Sequence, residues 1–332
     1  MRATTPNLLL LTLLSLAAAS LAPATARAEE KADKPEKAAW SVPDIDKLPD
    51  DIYGRTVRHG RDLIQNTARF IGPEVKDKKM RYAGNNLACA SCHAEAGTVK
   101  FGAPFVGTFA DYPQYRIREN DVQTIEGRIN GCMERSMNGK PLPDESPEML
   151  AMVAYMKFLS GNVPVGTALE GRLTPKIKII DRAADPAKGK LVYEAQCAAC
   201  HGANGEGLRV GKKGDAQGYV NPPLWGPDSY NTGAGMARVI QAARYIRFNM
   251  PKGVTHDAPI LSEEETFDVS AYINSQKRPA KKGLDKDFPD RRQKPADAAF
   301  APYREGFSAE QHKYGPFKPI IAARNKSLAA EK

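Results

Sequence analysis

Two five-residue words, Cys89-Ala90-Ser91-Cys92-His93 and Cys197-Ala198-Ala199-Cys200-His201, restrict this chain more than any other feature. Each reads C-x-x-C-H, the attachment signal of c-type haem. The spacing lets both thiols reach vinyl groups on one porphyrin edge, and the following residue sets an imidazole under the iron. A zinc site would need further Cys or His in ligand spacing, and only His59, His256 and His312 remain. Two copies favour covalent haem over zinc, a redox pair or coincidence. Cys89, Cys92, Cys197 and Cys200 are therefore expected to carry two haem c groups, with His93 and His201 as proximal iron ligands. No disulfides are expected, because four thiols are committed to thioethers, and each haem fills the centre of a small core.

The N-terminus gives the compartment. Arg2, the apolar run Leu8 to Leu21 and the small-x-small site Ala26-Arg27-Ala28 read as a signal peptide over residues 1–28. That run is too short and interrupted for a comfortable membrane span, and no later segment is apolar enough for one. A periplasmic protein without a stable membrane span is expected. The rest of the 332 residues has room for two ordinary domains. A formal charge of +9 suits anionic partners. Export, and the scatter of basic residues among acids and aromatics, argue against nucleic acid.

Both halves fit one plan: leading helix, haem word, loops with a distal ligand, closing helix. Asp51 to Gly72 predicts a leading helix through Ile52, Val57, Leu63, Ile64 and Phe70. Asp185-Pro186-Ala187 opens the second, with Leu191, Val192 and Ala195 as its stripe. Ser146-Pro147-Glu148 starts one closing helix, with Leu150, Val153, Ala154 and Phe158 at helical spacing. The other opens with a capping box at Ser262-Glu263-Glu264-Glu265, followed by Phe267, Val269, Tyr272 and Ile273.

The expected fold is mainly α: two tandem class I cytochrome c-type domains, each around one covalently attached haem, with an irregular C-terminal wrapping tail. The boundaries are 29–164 for the first domain (catalytic haem), 165–185 for a linker along the surface with a β-like run at Ile177 to Ile180, 186–278 for the second (electron-transfer haem), and 279–332 for an extension whose spaced aromatics pack on the domains.

Superimposing Tyr155 on Tyr272 locates the distal ligands. Cys132 lies 23 residues before Tyr155, and Met250 lies 22 residues before Tyr272. The second half carries about ten extra residues before its ligand, assigned to the Gly-rich stretch Gly202 to Gly218. For the first haem, Met133, Met137 and an empty position compete with Cys132, which the repeat and the odd cysteine count favour. For the second, Met250 is favoured over Met236, Lys252 and His256. A thiolate ligand lowers a haem potential and a methionine raises it, so electrons are expected to run from the first haem to the second. If Gly127 to Met137 is helical, Arg128, Cys132 and Ser136 share a face with Arg135 beside them. Arg116 and Arg118 lie just upstream. Arginines around a thiol suit an anionic substrate that reacts with sulfur.

The stretches Asp111-Tyr112-Pro113-Gln114-Tyr115, Thr124 to Ser136 and Ile246-Arg247-Phe248-Asn249-Met250-Pro251 closely resemble periplasmic dihaem thiosulfate dehydrogenases. That resemblance implies joining of two thiosulfates into tetrathionate, with two electrons passed to a soluble or membrane-bound c-type acceptor, and in some members the reverse reduction. It implies that Cys132 is the distal ligand and active-site sulfur, and that Arg118, Arg128 and Ser136 belong to the substrate pocket. One departure is Asn249, where some relatives carry a lysine that exchanges with the distal Met. Steady Met250 ligation is therefore expected. A non-catalytic dihaem electron carrier, or a subunit of a sulfur-oxidising complex, is the alternative.

Overall fold

The computed structural model describes residues 38–329, so the expected signal peptide lies outside the described residues. In the first half, Asp51 caps α1 (Ile52–Gln65) by accepting from the Gly54 amide at 2.7 Å. The expected single helix breaks at Asn66 (φ −128°, ψ 42°), and α2 (Thr67–Ile71) follows. That break has a use. Thr67 opens α2 with a fully buried hydroxyl that accepts from the Cys89 amide at 3.0 Å, tying the leading helix to the first haem word. The short turn α3 (Ala94–Gly97) comes next, then a hairpin of β1 (Gln114–Arg116) and β2 (Asp121–Gln123), antiparallel with Tyr115 opposite Val122. Thr124 caps α4 (Ile125–Arg135), and Ser146 caps the closing helix α5 (Pro147–Leu159), with Pro147 in its first turn.

The second half repeats the plan. Asp185 caps α6 (Pro186–Gln196), and α7 (Ala198–His201) lies within the second haem word. A short hairpin pairs β3 (Leu208–Arg209) with β4 (Tyr219–Asn221). Then come α8 (Val239–Asn249) and α9 (Glu263–Ser275), the latter with the predicted Ser262/Glu265 capping box in place.

In each half the leading helix crosses the closing helix at a glycine. A Cβ on Gly60 of α1 would sit 2.0 Å from the Ala151 carbonyl oxygen, and one on Gly189 of α6 would sit 1.8 Å from that of Asp268. Only glycine permits such approach. The same crossing sets the buried faces. Leu63 and Ile64 follow Gly60 into one core, and Tyr193 follows Gly189 into the other. This overturns part of the expected patterns: Leu191 is 66% exposed and Leu150 is 54% exposed. In α5 the buried residues are Met149, Ala151, Met152, Tyr155, Met156 and Leu159.

The expected surface linker is also corrected. Its run Ile177 to Ile180 forms no strand, and both isoleucines are buried with Phe267 and Phe317. Beyond residue 278, Phe288 and Phe317 are buried, and the chain carries α10 (Ala309–Tyr314) and α11 (Phe317–Ala329). Arg135 of α4 places both arms on the Asp287 carboxylate at 2.7 and 2.8 Å, fastening this extension to the first half. Among the described residues, no helix is long and apolar enough to cross a membrane.

Candidate active site

A cavity of about 320 Å³ opens beside the first haem word. Cys89, Cys92 and His93 form one wall, while Cys132, Met133 and Met137 face them from α4 and the turn after it. Ile64, Leu87, Phe105, Ile129, Met152 and Met156 make much of the lining apolar. The second half contributes Tyr230 and Met236. At the polar end stand Tyr112, Gln114, Arg116, Arg128, Ser136 and Arg172.

The donor set fits haem c. His93 Nδ1 is 2.5 Å from the Ala103 carbonyl oxygen, so Nδ1 carries the proton and Nε2 is left for iron. The second word repeats the device, with His201 Nδ1 2.8 Å from the Pro222 carbonyl oxygen. The accepting carbonyl comes 10 residues after His93 but 21 after His201. The surplus in the second half therefore falls between His201 and Pro222, where β3 and β4 lie. Every cysteine is free of disulfide bonds. Burial pushes the Cys89 and Cys92 thiols up to about 11 and about 12. Around the second word, Cys197 and Met250 pack against one cluster of Tyr193, Ile246, Leu261, Val269 and Ile273, with Leu224, Trp225 and Tyr272 beside them. Met250 reaches it from the end of α8, as the residue that terminates the helix.

Cys132 differs from its four sisters. Burial alone would raise its thiol, but Arg128 and the His93 imidazole outweigh that and leave it at about 6. Arg128 Nη1 donates to Cys132 Sγ from one helical turn away. Ser136, a turn further on, also lines the cavity, and its carbonyl is held by the Asn85 amide at 2.9 Å. The helix thus brings Arg128, Cys132 and Ser136 together.

Arg118 is placed elsewhere. It donates to the Gly233 carbonyl at 3.1 Å and lies over the Phe288 ring, behind the cavity wall. The reason is local: β1 ends at Arg116, and the turn that follows swings Arg118 away. Gln114 and Arg116, two apart on β1, share the face that meets the cavity. That alternation was the available sequence signal for Arg116. Tyr112 lies between Arg116 and Arg128, and burial raises its phenol against both cations. Arg172, from the linker, pairs with Asp111; nothing in the local sequence marked it. Asp228 joins the halves, accepting from the Asn86 amide (2.9 Å), Arg209 (2.9 Å) and the Tyr219 hydroxyl (2.6 Å).

Comparison with known proteins agrees with this construction. The SoxA/TsdA cytochrome c domain family matches residues 79–165, and the cytochrome c family matches residues 186–277. Two such domains mean two covalently bound haem c groups. A thiosulfate dehydrogenase of Thiomonas intermedia (strain K12) is 38% identical over 84% of this chain and 86% of its own. One from Allochromatium vinosum is 40% identical over 75% of this chain and 87% of its own. Among solved structures, the thiosulfate dehydrogenase (TsdBA) of Marichromatium purpuratum superimposes with a TM-score of 0.65 at 35% identity, over 74% of this chain. This chain spans 50% of that one. Sequence, fold and cavity place the chain in the thiosulfate dehydrogenase family.

Proposed function

We propose that the chain is an exported enzyme that couples two thiosulfates into tetrathionate at Cys132, reversibly, and hands the electrons to a c-type acceptor. The observation that carries this reading is the Cys132 thiol, bonded by Arg128 and facing the first haem word across a largely apolar cavity with an arginine-lined end. In this assignment residues 29–164 form the catalytic domain and 186–278 the electron-transfer domain, joined by 165–185. Cys89, Cys92, Cys197 and Cys200 hold the haems, His93 and Cys132 ligate the first iron, and His201 and Met250 the second. The bound haem groups supply one-electron acceptors for the released pair, in order from the first half to the second.

The residues meet the chemical difficulty of the reaction. Two dianions 4 Å apart repel by roughly 4 kcal/mol even at water's dielectric, and by more in a cleft. Arg128 and Arg116 offset that repulsion, and a guanidinium fork fits a sulfonate end. Ser136 and the Tyr112 hydroxyl add hydrogen bonds, while Arg118 adds positive field from behind the wall. The Cys132 thiolate bonds the outer sulfur of one thiosulfate as two electrons leave. The outer sulfur of a second thiosulfate then attacks that sulfur, Cys132 departs as the thiolate, and tetrathionate is released.

Thiosulfate-dependent reduction of an artificial acceptor by the purified holoprotein tests the activity. Failure of that reduction, with intact haem spectra, favours a carrier. Cys132→Gly should leave both haems attached and abolish turnover; retained turnover removes Cys132 from the reaction.

A further inference from the structure

A second arginine-lined hollow lies in the C-terminal extension, apart from the Cys132 cavity. Its volume is about 180 Å³, and three separate stretches build it: Arg291 and Arg292, Arg304 and Glu305, and Arg324 with Ser327 on α11. We propose that it binds a small divalent tetrahedral oxyanion of the sulfate or phosphate type.

Charge accounting supports this. Arg292 is matched by the Asp290 carboxylate at 2.7 Å, and Glu305 is the one carboxylate in the lining. Arg291, by contrast, spends its donors on the backbone carbonyls of Asp285, Asp287 and Phe288. Arg324 donates to the Lys294 carbonyl at 3.4 Å, and its buried Nε has no hydrogen-bond partner. Carbonyls satisfy hydrogen bonds without cancelling charge. Nearby, the ammonium of buried Lys294 also donates to carbonyls, those of Phe300 and Pro302. Four arginines against the Asp290 and Glu305 carboxylates leave an excess of positive charge around a hollow of oxyanion size, and the unpartnered Arg324 Nε is a donor for its occupant. A nucleotide is too large for it.

Position gives the site a consequence. The carbonyls of Asp287 and Phe288 that hold Arg291 belong to residues that also reach the first half. The Asp287 side chain holds Arg135, and the Phe288 amide donates to the Arg118 carbonyl at 2.8 Å. An anion here fastens the strap that lies behind the Cys132 helix.

Equilibrium binding of sulfate and, separately, of phosphate to the holoprotein tests the site, with ionic strength held constant by chloride. Binding of either supports the site, and the two titrations show which oxyanion it prefers. Arg324→Gln should weaken binding by at least about tenfold, the loss of one charge-assisted hydrogen bond. Ser327→Ala, a milder change, should weaken it less, and the haem spectra of both variants should match the wild type. The proposal is overturned if neither anion binds beyond the chloride control, or if Arg324→Gln binds as the wild type does. Loss of binding in Arg128→Gln but not in Arg324→Gln would move the anion to the Cys132 cavity and also overturn it.

Discussion

Arg128 Nη1 stands 2.7 Å from Cys132 Sγ, one turn back on the same face of α4. This contact makes the cation both a partner of the thiolate and a counter-charge for an arriving dianion. Arg128→Gln is expected to lower kcat/KM for thiosulfate by about 10²-fold or more, the usual scale for losing a charge-stabilising donor. Arg128→Lys should recover part of this, because it keeps the charge and loses the fork. Steady-state assays on variants with wild-type haem spectra check the expectation, and unchanged kcat/KM in Arg128→Gln rejects it.

Arg116 and Arg118 should separate in the same assay. Arg116 lines the cavity, whereas Arg118 is occupied by Gly233 and Phe288. Arg116→Gln is expected to raise KM several-fold, and by more than Arg118→Gln does. The reverse order would mean that substrate draws Arg118 inward.

The two helix crossings predict a matched pair of stability losses. Gly60→Ala and Gly189→Ala each push a methyl into a carbonyl oxygen. Each should cost about 1–3 kcal/mol, as overpacking does, or more where the backbone cannot shift. Chemical denaturation followed by circular dichroism measures this. A loss below about 0.5 kcal/mol in either variant would show that its crossing can relax.

The extension is fastened by charge. Arg135 and Asp287 are nearly buried, with side chains 15% and 9% exposed. Asp287→Ala strands the Arg135 guanidinium and should destabilise by about 3–5 kcal/mol. Replacing both residues with apolar ones of similar size should recover much of that loss. A double-mutant cycle in urea reads the coupling, and strict additivity would deny it.

Lys294 sets a pH dependence. Burial, and next the Arg291 charge, hold its ammonium down to about 8 from an ordinary 10.5. Between those values the unfolded chain binds more protons than the folded one. The Lys294 contribution to stability therefore improves as pH rises from 8 to 10.5, and its penalty is complete below 8. The melting temperature of the wild type minus that of Lys294→Met should climb through this window. A flat difference would place the ammonium in water.

The readable parts of the sequence were those that local chemistry determines alone. Haem words, caps at Asp51, Ser146, Asp185 and Ser262, and the helical register of Arg128, Cys132 and Ser136 need only neighbours within a few residues. What escaped depends on distant partners. Leu150 and Leu191 looked like core residues by spacing, but the close approach at Gly60 and Gly189 rotates the buried faces. Ile177 and Ile180 looked like linker until Phe267 and Phe317 covered them. Arg172 and Tyr230 reach the cavity from outside the first haem word's neighbourhood, and no period in the sequence announces that.

Tyr230 and Met236 wall a cavity otherwise built chiefly by the first half. On the proposed export, N-terminus first, the first haem word emerges before the last side of that pocket does. During this interval the pocket lacks the wall that Tyr230 and Met236 supply. Arrival of the second half then shuts it. Emergence and closure are set in order by chain connectivity, so the first half expressed alone would lose its door.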